Sequence, residues 1–300
     1  MIIAVASGKG GTGKTTVATS LALSLVDDDP AREATSDRAG PLFLDCDVEE
    51  PNAALFLKPN LGSNEEVGIL IPEVDFQACT FCGRCAEVCV WHAIAVVGEK
   101  VLIFPELCHG CGSCTLNCPE DAISEVLYPM GTLESGQAGA IDFGQGTLDV
   151  GQAMSVPIIR QLKQRNLTDA GSRVAILDAQ PGASCPVVET MRDADFVLLV
   201  TEPTPFGLHD LRFAVEIARD ELGLPVGVVV NRDGIGDQGV DEFCAAEKIP
   251  ILMRIPLDRR IAQAISDGQA LIDALPEYRP RFQELGDRIA REVAATRGSR

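Results

Sequence analysis

Gly8-Lys9-Gly10-Gly11-Thr12-Gly13-Lys14-Thr15 follows the short apolar run Ile2–Ala6 and precedes the helical run Thr16–Leu25. A strand, a glycine-rich turn and a helix, in that order, form the setting in which a phosphate-binding loop works. Glycines let backbone N–H groups close around phosphate oxygens, and the helix N-terminus adds a favourable dipole. Gly8, Gly10, Gly11, Thr12, Gly13, Lys14, Thr15 and Thr16 are therefore expected to contact ATP or ADP. Lys14 would reach the β- and γ-phosphates and Thr15 would ligate Mg²⁺.

Outward from this loop, the apolar runs Leu42–Leu44, Val174–Leu177, Phe196–Val200 and Val226–Val230 are short and continuous. That is the pattern of strands buried on both faces. Helical stretches such as Leu208–Leu222 separate most of them, which predicts an α/β fold: a mostly parallel sheet flanked by helices. Asp27–Pro41 reads as a polar surface loop, and glycine-rich Met130–Ser155 as a return path into the nucleotide domain.

A cysteine-rich stretch interrupts this alternation. Of eleven cysteines, eight lie between Cys79 and Cys118. Cys79, Cys82, Cys85 and Cys89 recur 29 residues later as Cys108, Cys111, Cys114 and Cys118, and the apolar run Ala93–Val97 recurs as Ala122–Val126. Each half has the C-x2-C-x2-C-x3-C spacing of bacterial ferredoxins, in which the fourth cysteine of each run serves the other cluster. Cys79, Cys82, Cys85 and Cys118 are thus expected to hold one [4Fe-4S] cluster, and Cys108, Cys111, Cys114 and Cys89 a second. Zinc also takes CxxC pairs, but two tandem runs of four cysteines favour iron–sulfur. His109 reads as a neighbour of ligands, and Trp91 and His92 as packing residues. The expected organisation is a discontinuous nucleotide domain, residues 1–70 and 129–300, with an inserted α+β ferredoxin-like domain at 71–128.

A formal net charge of −19 over 300 residues argues against nucleic acid, whose binding draws on basic side chains, and against anionic lipid. No run of ~20 apolar residues predicts a membrane-spanning helix, and the leading Met1 runs straight into Ile2–Ala6. Abundant cysteine in a chain of this kind suits metal ligation in a reducing cytoplasm better than disulfides. Apolar Phe282, Leu285, Ile289 and Val293 share one helical face near the C-terminus, which favours packing on the domain over membrane insertion.

Lys9 narrows the reading. A lysine directly after the first glycine resembles the deviant Walker A motif of the MinD/ParA/Mrp group of P-loop ATPases, to which the nitrogenase iron protein is related. The resemblance continues along most of the chain. Asp45-Cys46-Asp47 resembles switch I, Asp178 the Walker B aspartate and Pro181-Gly182 the start of switch II; Gln180 departs from the pattern there. The resemblance implies that Lys9 reaches the nucleotide of a partner subunit, that Lys9, Lys14 and Asp47 carry the hydrolysis of ATP, and that Asp45 and Asp178 support Mg²⁺ with Thr15. Asn52 would lie near the γ-phosphate, Asn231 and Arg232 at the base, and Pro256 in the loop over adenine. It also implies a homodimer, or a heterodimer with a related ATPase. The whole is similar to MinD-type ATPases of anaerobes that carry an inserted ferredoxin domain and are associated with orange-protein-type metal-cluster proteins.

Three cysteines stand outside the repeat. Cys46 and Cys244 read as small buried hydrophobes. Cys185, seven residues after Asp178, reads either as a subunit-bridging metal ligand or as a structural or redox-sensing thiol. Two functions follow from the combination. One couples ATP to electron delivery or metal-cluster assembly on a redox or metal-cluster partner protein. The other is a MinD/ParA-like spatial-organising ATPase whose clusters sense redox state.

Overall fold

The computed structural model describes residues 1–26, 40–168 and 173–298. Most of the expected loop at Asp27–Pro41 lies outside them. Eleven strands are described: β1 (Ile2–Ser7), β2 (Leu42–Asp45), β3 (Asn60–Val74), β4 (Ile94–Val96), β5 (Val101–Ile103), β6 (Ile123–Ala138), β7 (Ile141–Leu148), β8 (Ala175–Pro181), β9 (Phe196–Thr201), β10 (Val226–Asp233) and β11 (Ile251–Pro256). Nine of them form one sheet in the order β11-β10-β9-β1-β8-β2-β7-β6-β3. The first seven in that order run parallel, and β6 and β3 return antiparallel at one edge. The five predicted runs are β1, β2, β8, β9 and β10.

Strand alternation divides the sheet's two faces. Ile3, Val5, Phe43, Ile176 and Leu198 point to the side covered by the helices Lys14–Ser24 and Arg279–Gly298. Their neighbours Ala4, Ala6, Val197 and Leu199 point to the side covered by Cys185–Met191, Pro205–Val215 and Gly239–Ala246. On that second side, toward the β7 edge, Ile158, Ile159 and Leu162 of the helix Val156–Leu167 pack on Leu42, Leu44, Cys46 and Leu177. Each such aliphatic side chain contributes about 1.5–3 kcal/mol by leaving water. Phe282, Leu285, Ile289 and Val293 are buried, so the C-terminal helix turns its apolar face onto the domain. The stretch read as one helix, Leu208–Leu222, is an α-helix over Pro205–Val215 that passes into a π-helical turn at Glu216–Glu221.

The return path Met130–Ser155 is built of strands. It holds the second half of β6 and all of β7. The expected boundaries at 70/71 and 128/129 fall inside β3 and β6, which pair from Asn60–Gln137 to Val74–Ile123 with two shifts of register. The cysteine segment is therefore the far end of a long two-stranded ribbon whose near end is the edge of the nine-stranded sheet. Beyond the ribbon, β4 and β5 pair as a small separate sheet, and Ile94, Val101 and Ile123 form a small core with Cys85 and Cys114. No described helix is long and apolar enough to cross a membrane.

Candidate functional site

Between β1 and the helix Lys14–Ser24 the glycine loop turns through left-handed backbone at Gly11 and Gly13, φ 76° and 90°. A side chain at Gly8 would strike the Asp210 carbonyl oxygen at 2.4 Å, and one at Gly13 would strike the Asn231 amide at 2.3 Å. The flanks of the loop are thus packed tight. Its crest is open, because a Cβ at Gly11 would meet nothing within 4 Å.

Lys14 and Asp178 form a buried ion pair across this loop, Nζ to Oδ1 2.7 Å. Burial works against the lysine's charge, and Asp178 outweighs it, so Lys14 sits above its ordinary pKa. The other oxygen of Asp178 and the hydroxyl of Thr12 are buried without a hydrogen-bond partner. Orphaned polar atoms at such a place are costly unless a ligand completes them. An acceptor aimed beside a P-loop lysine and threonine fits Mg²⁺, and an unused donor on the loop fits a phosphate oxygen.

Asp45 ends β2 and is fully buried. Its carboxylate accepts the N–H groups of Asp47 at 3.1 Å and of Asn52 and Ala53 at 2.9 Å. It therefore anchors the turn that carries Asp47 and Asn52. Burial, with Asp178 nearby, raises its pKa to about 7. Asp47 is also buried and is raised to about 6 by loss of water, against the pull of Lys14 and a hydrogen bond from the Gln180 side chain.

Lys9 is folded back onto its own chain and pairs with Glu202 at the end of β9. The same carboxylate takes Arg232 at 2.9 Å, and Arg232 also donates to the Gly11 carbonyl at 3.0 Å. Burial opposes the charge on Glu202, but the two cations hold it below its usual range. Asn231 donates to the Thr12 carbonyl at 2.7 Å. Asn231 and Arg232, read from sequence as base contacts, here brace the phosphate loop. Pro256 ends β11 on the surface, and Asp258 caps the next helix through the Arg260 N–H at 2.8 Å. Glu202 was not identifiable from sequence beyond being a charge directly after a buried strand.

The cysteine repeat is reproduced in three dimensions at its 29-residue offset. Left-handed backbone occurs at Phe81 and Gly110, at Gly83 and Gly112, and at His92 and Asp121. The N–H groups of Phe81 and Gly110 point at the sulfurs of Cys79 and Cys108, at 3.4 and 3.5 Å. Those of Ala93 and Ala122 point at Cys89 and Cys118, each at 3.3 Å. Cys79, Cys82, Cys85 and Cys118 line one cavity; Cys89, Cys108, Cys111 and Cys114 line another. The cavities are of near-equal size, about 360 and 370 Å³, as two copies of one group require. Among the described residues no three of His, Cys, Asp or Glu converge on a point that could hold a single ion. Four soft sulfurs ringed around a space, with N–H groups directed at them, fit a polynuclear iron–sulfur group better than one zinc ion.

Trp91 and His109 stack over the second cavity with ring centroids 3.7 Å apart. Cys46 is buried and pushed up to about 12 by loss of water, and Cys244 is buried and pushed up to about 11 for the same reason. Cys185 is exposed at the start of the helix Cys185–Met191. The carbonyls ending that helix are held by Lys163, which donates to Glu189 and Arg192 at 2.6 Å each. A buried lysine on the second side of the sheet gave no signal in the sequence.

Residues 71–119 match the family described as the 4Fe-4S dicluster domain. Over 91% of both chains the protein is 29% identical to MJ0579 of Methanocaldococcus jannaschii. Its structure is similar to the septum site-determining protein MinD of Pyrococcus horikoshii, solved with Mg-ADP, at a TM-score of 0.56, 18% identity and coverage of 96% and 95% of the two chains. It is equally similar to the cell division ATPase MinD of Pyrococcus furiosus, at 0.56, with 21% identity and coverage of 97% and 98%. The chain has the MinD/ParA-type fold and carries a segment that matches the 4Fe-4S dicluster domain.

Proposed function

We propose that the protein binds and hydrolyses ATP, dimerises according to the nucleotide held, and couples that cycle to an iron–sulfur module acting on a redox or metal-cluster partner protein. One observation carries the reading: the two cysteine-lined cavities sit on a ribbon built from the edge strands of the same sheet that holds the phosphate loop.

At the nucleotide site, the open crest of the loop takes the phosphates, and Lys14 turns from Asp178 toward the β- and γ-oxygens. Asp178, with its free oxygen, and Thr15 hold Mg²⁺. Asp47 orients the attacking water and is itself oriented by Gln180, while Asp45 keeps the turn of Asp47 and Asn52 in place. Phosphoryl transfer depends mainly on such positioning and on charge stabilisation. Lys9 is the cation offered to a second subunit, and Glu202 retains it in the single chain. Asn231, Arg232 and Pro256 border the base side of the loop.

In the module, Cys79, Cys82, Cys85 and Cys118 would hold one [4Fe-4S] cluster and Cys89, Cys108, Cys111 and Cys114 the other. Such clusters supply one-electron redox chemistry, tuned by N–H···S hydrogen bonds and exposure. The alternative is a spatial-organising ATPase whose clusters sense redox state; a form of it that docks on a membrane through the C-terminal helix has less support, because that helix's apolar face is already buried.

The test is anaerobic purification, followed by iron analysis, ATP hydrolysis, oligomer size and cluster potential, with and without Mg-ATP. The expected result is a shift in both oligomer size and potential. If Mg-ATP changes neither, the coupling is refuted.

A further inference from the structure

The two cavities are not equally placed. The Cys79/Cys82/Cys85/Cys118 cavity is walled by the module's own Val74, Val96, Val101 and Ile123. The Cys89/Cys108/Cys111/Cys114 cavity includes Leu70 and Pro72 of β3, and Cys108 packs against the core that also holds Cys46, Ile158 and Leu162. This near cavity therefore rests on the nucleotide domain.

A continuous set of contacts joins it to Asp47. The Gln180 side chain lies beside Asp47, whose charged form it favours, and accepts the Ser155 hydroxyl at 3.5 Å. Ser155 occupies the N-cap position of the helix Val156–Leu167 but makes no side-chain cap. A serine there usually bonds the first turn of its helix; here the hydroxyl goes to the switch residue instead. All three groups are buried. Two turns along, Gln161 donates to the Gly68 carbonyl of β3 at 2.8 Å, and Arg165 pairs with Glu65 of the same strand.

Gly68 is a special point on the ribbon. Its register partner is Pro129, and the pairing shifts between Val67 and Gly68. Proline has no N–H to give to the ladder, so the Gly68 carbonyl is left for a side chain. The next two residues, Ile69 and Leu70, lie under Gly110, whose Cβ position is 3.1 Å from each of the Ile69 Cβ and the Leu70 carbonyl oxygen. Gly110 is in the loop between Cys108 and Cys111.

We propose that the helix Val156–Leu167 transmits the nucleotide state from Asp47 and Gln180 to the near cysteine site, with Gln161 as the positioning residue that grips the ribbon where its own ladder is broken. This rests on the proposed coupling of ATP to the module and names its route.

Anaerobic full-length protein is compared with Gln161→Ala and Ser155→Ala in two measurements. Hydrogen exchange is followed with and without Mg-ADP and Mg-ATP, and the electron paramagnetic resonance of the reduced protein is recorded under the same conditions. In the parent protein, replacing Mg-ADP by Mg-ATP should change exchange at residues 64–72 and 126–131 and alter one of two cluster signals. In both variants iron content and protection of residues 8–15 by Mg-ADP should persist, and in Gln161→Ala basal hydrolysis as well, while the ribbon and signal responses are lost. Variants that keep the full ribbon and signal response overturn the relay and leave the coupling standing. A parent protein with no nucleotide response in either measurement overturns the coupling itself.

Discussion

The two cysteine cavities share a backbone and differ in what surrounds them. Left-handed residues, short helices and N–H···S bonds recur at one offset, so the local sequence alone sets the geometry of both. Yet one cavity is closed by the module's small core, and the other by the nucleotide domain and a Trp91–His109 stack. A repeat makes two like sites, and the point of insertion makes them unlike.

Removing a ligand from each side is the strongest way to break the comparison. Cys79→Ala and Cys108→Ala should each lower iron from about eight to about four per chain, if each removes one four-iron group. Only Cys108→Ala should also lower the thermal midpoint of the nucleotide domain, because of the two only Cys108 packs against the core beneath the sheet. Iron analysis and calorimetry check this; equal midpoints would make the cavities equivalent after all.

Lys14→Ala should abolish binding of Mg-ADP by titration calorimetry and leave the iron content intact. It also strands the buried Asp178 carboxylate, at a cost on the order of 3–5 kcal/mol in denaturant unfolding. Iron lost together with nucleotide binding would mean that the ribbon does not insulate the module's fold from the loop's.

Glu202→Gln frees Lys9 from its carboxylate. Hydrolysis per chain should rise by roughly fivefold at protein concentrations where dimers are scarce, the equivalent of about 1 kcal/mol from one partly exposed ion pair. A fall instead would assign Glu202 to the assembly of the site. The smallest effect is expected from Trp91→Ala. It removes a stack worth about 0.5–1.5 kcal/mol, so iron content should hold while the near cluster bleaches faster in air than the far one, followed by its absorbance.

What the sequence made legible was local. The Gly8–Thr15 loop and both cysteine runs carry their chemistry within a few residues, and β1, β8, β9 and β10 each begin as an unbroken run without a charge. The edge of the sheet was not legible. β3 contains Asn64, Glu65, Glu66 and Pro72, β6 contains Pro129 and Glu134, and β7 spends two of its eight positions on glycine. Those residues argue against a strand one at a time and are tolerated because β3 and β6 form a ribbon at the sheet's edge, wet on one side. The crossed cysteine sets followed from spacing, but the unequal footing of the two cavities did not. It depends on Leu70, Pro72 and the packing of Cys108 against the sheet's core, which only the fold brings together. Likewise Glu202 meets Lys9 across 193 residues, a distance no local pattern spans.

The strand order has a consequence for the making of the protein. β1, the first of the described strands in chain order, lies between β8 and β9, which begin at residues 175 and 196. Until those residues have left the ribosome, the first strand has neither neighbour. Residues 60–148, by contrast, pair only among themselves through β3, β6 and β7, apart from the contact of β7 with β2. Contacts close in sequence form early and distant ones late. Nascent chains should therefore complete the cysteine ribbon, and be ready to take up iron, while the nucleotide sheet is still waiting for its centre to close.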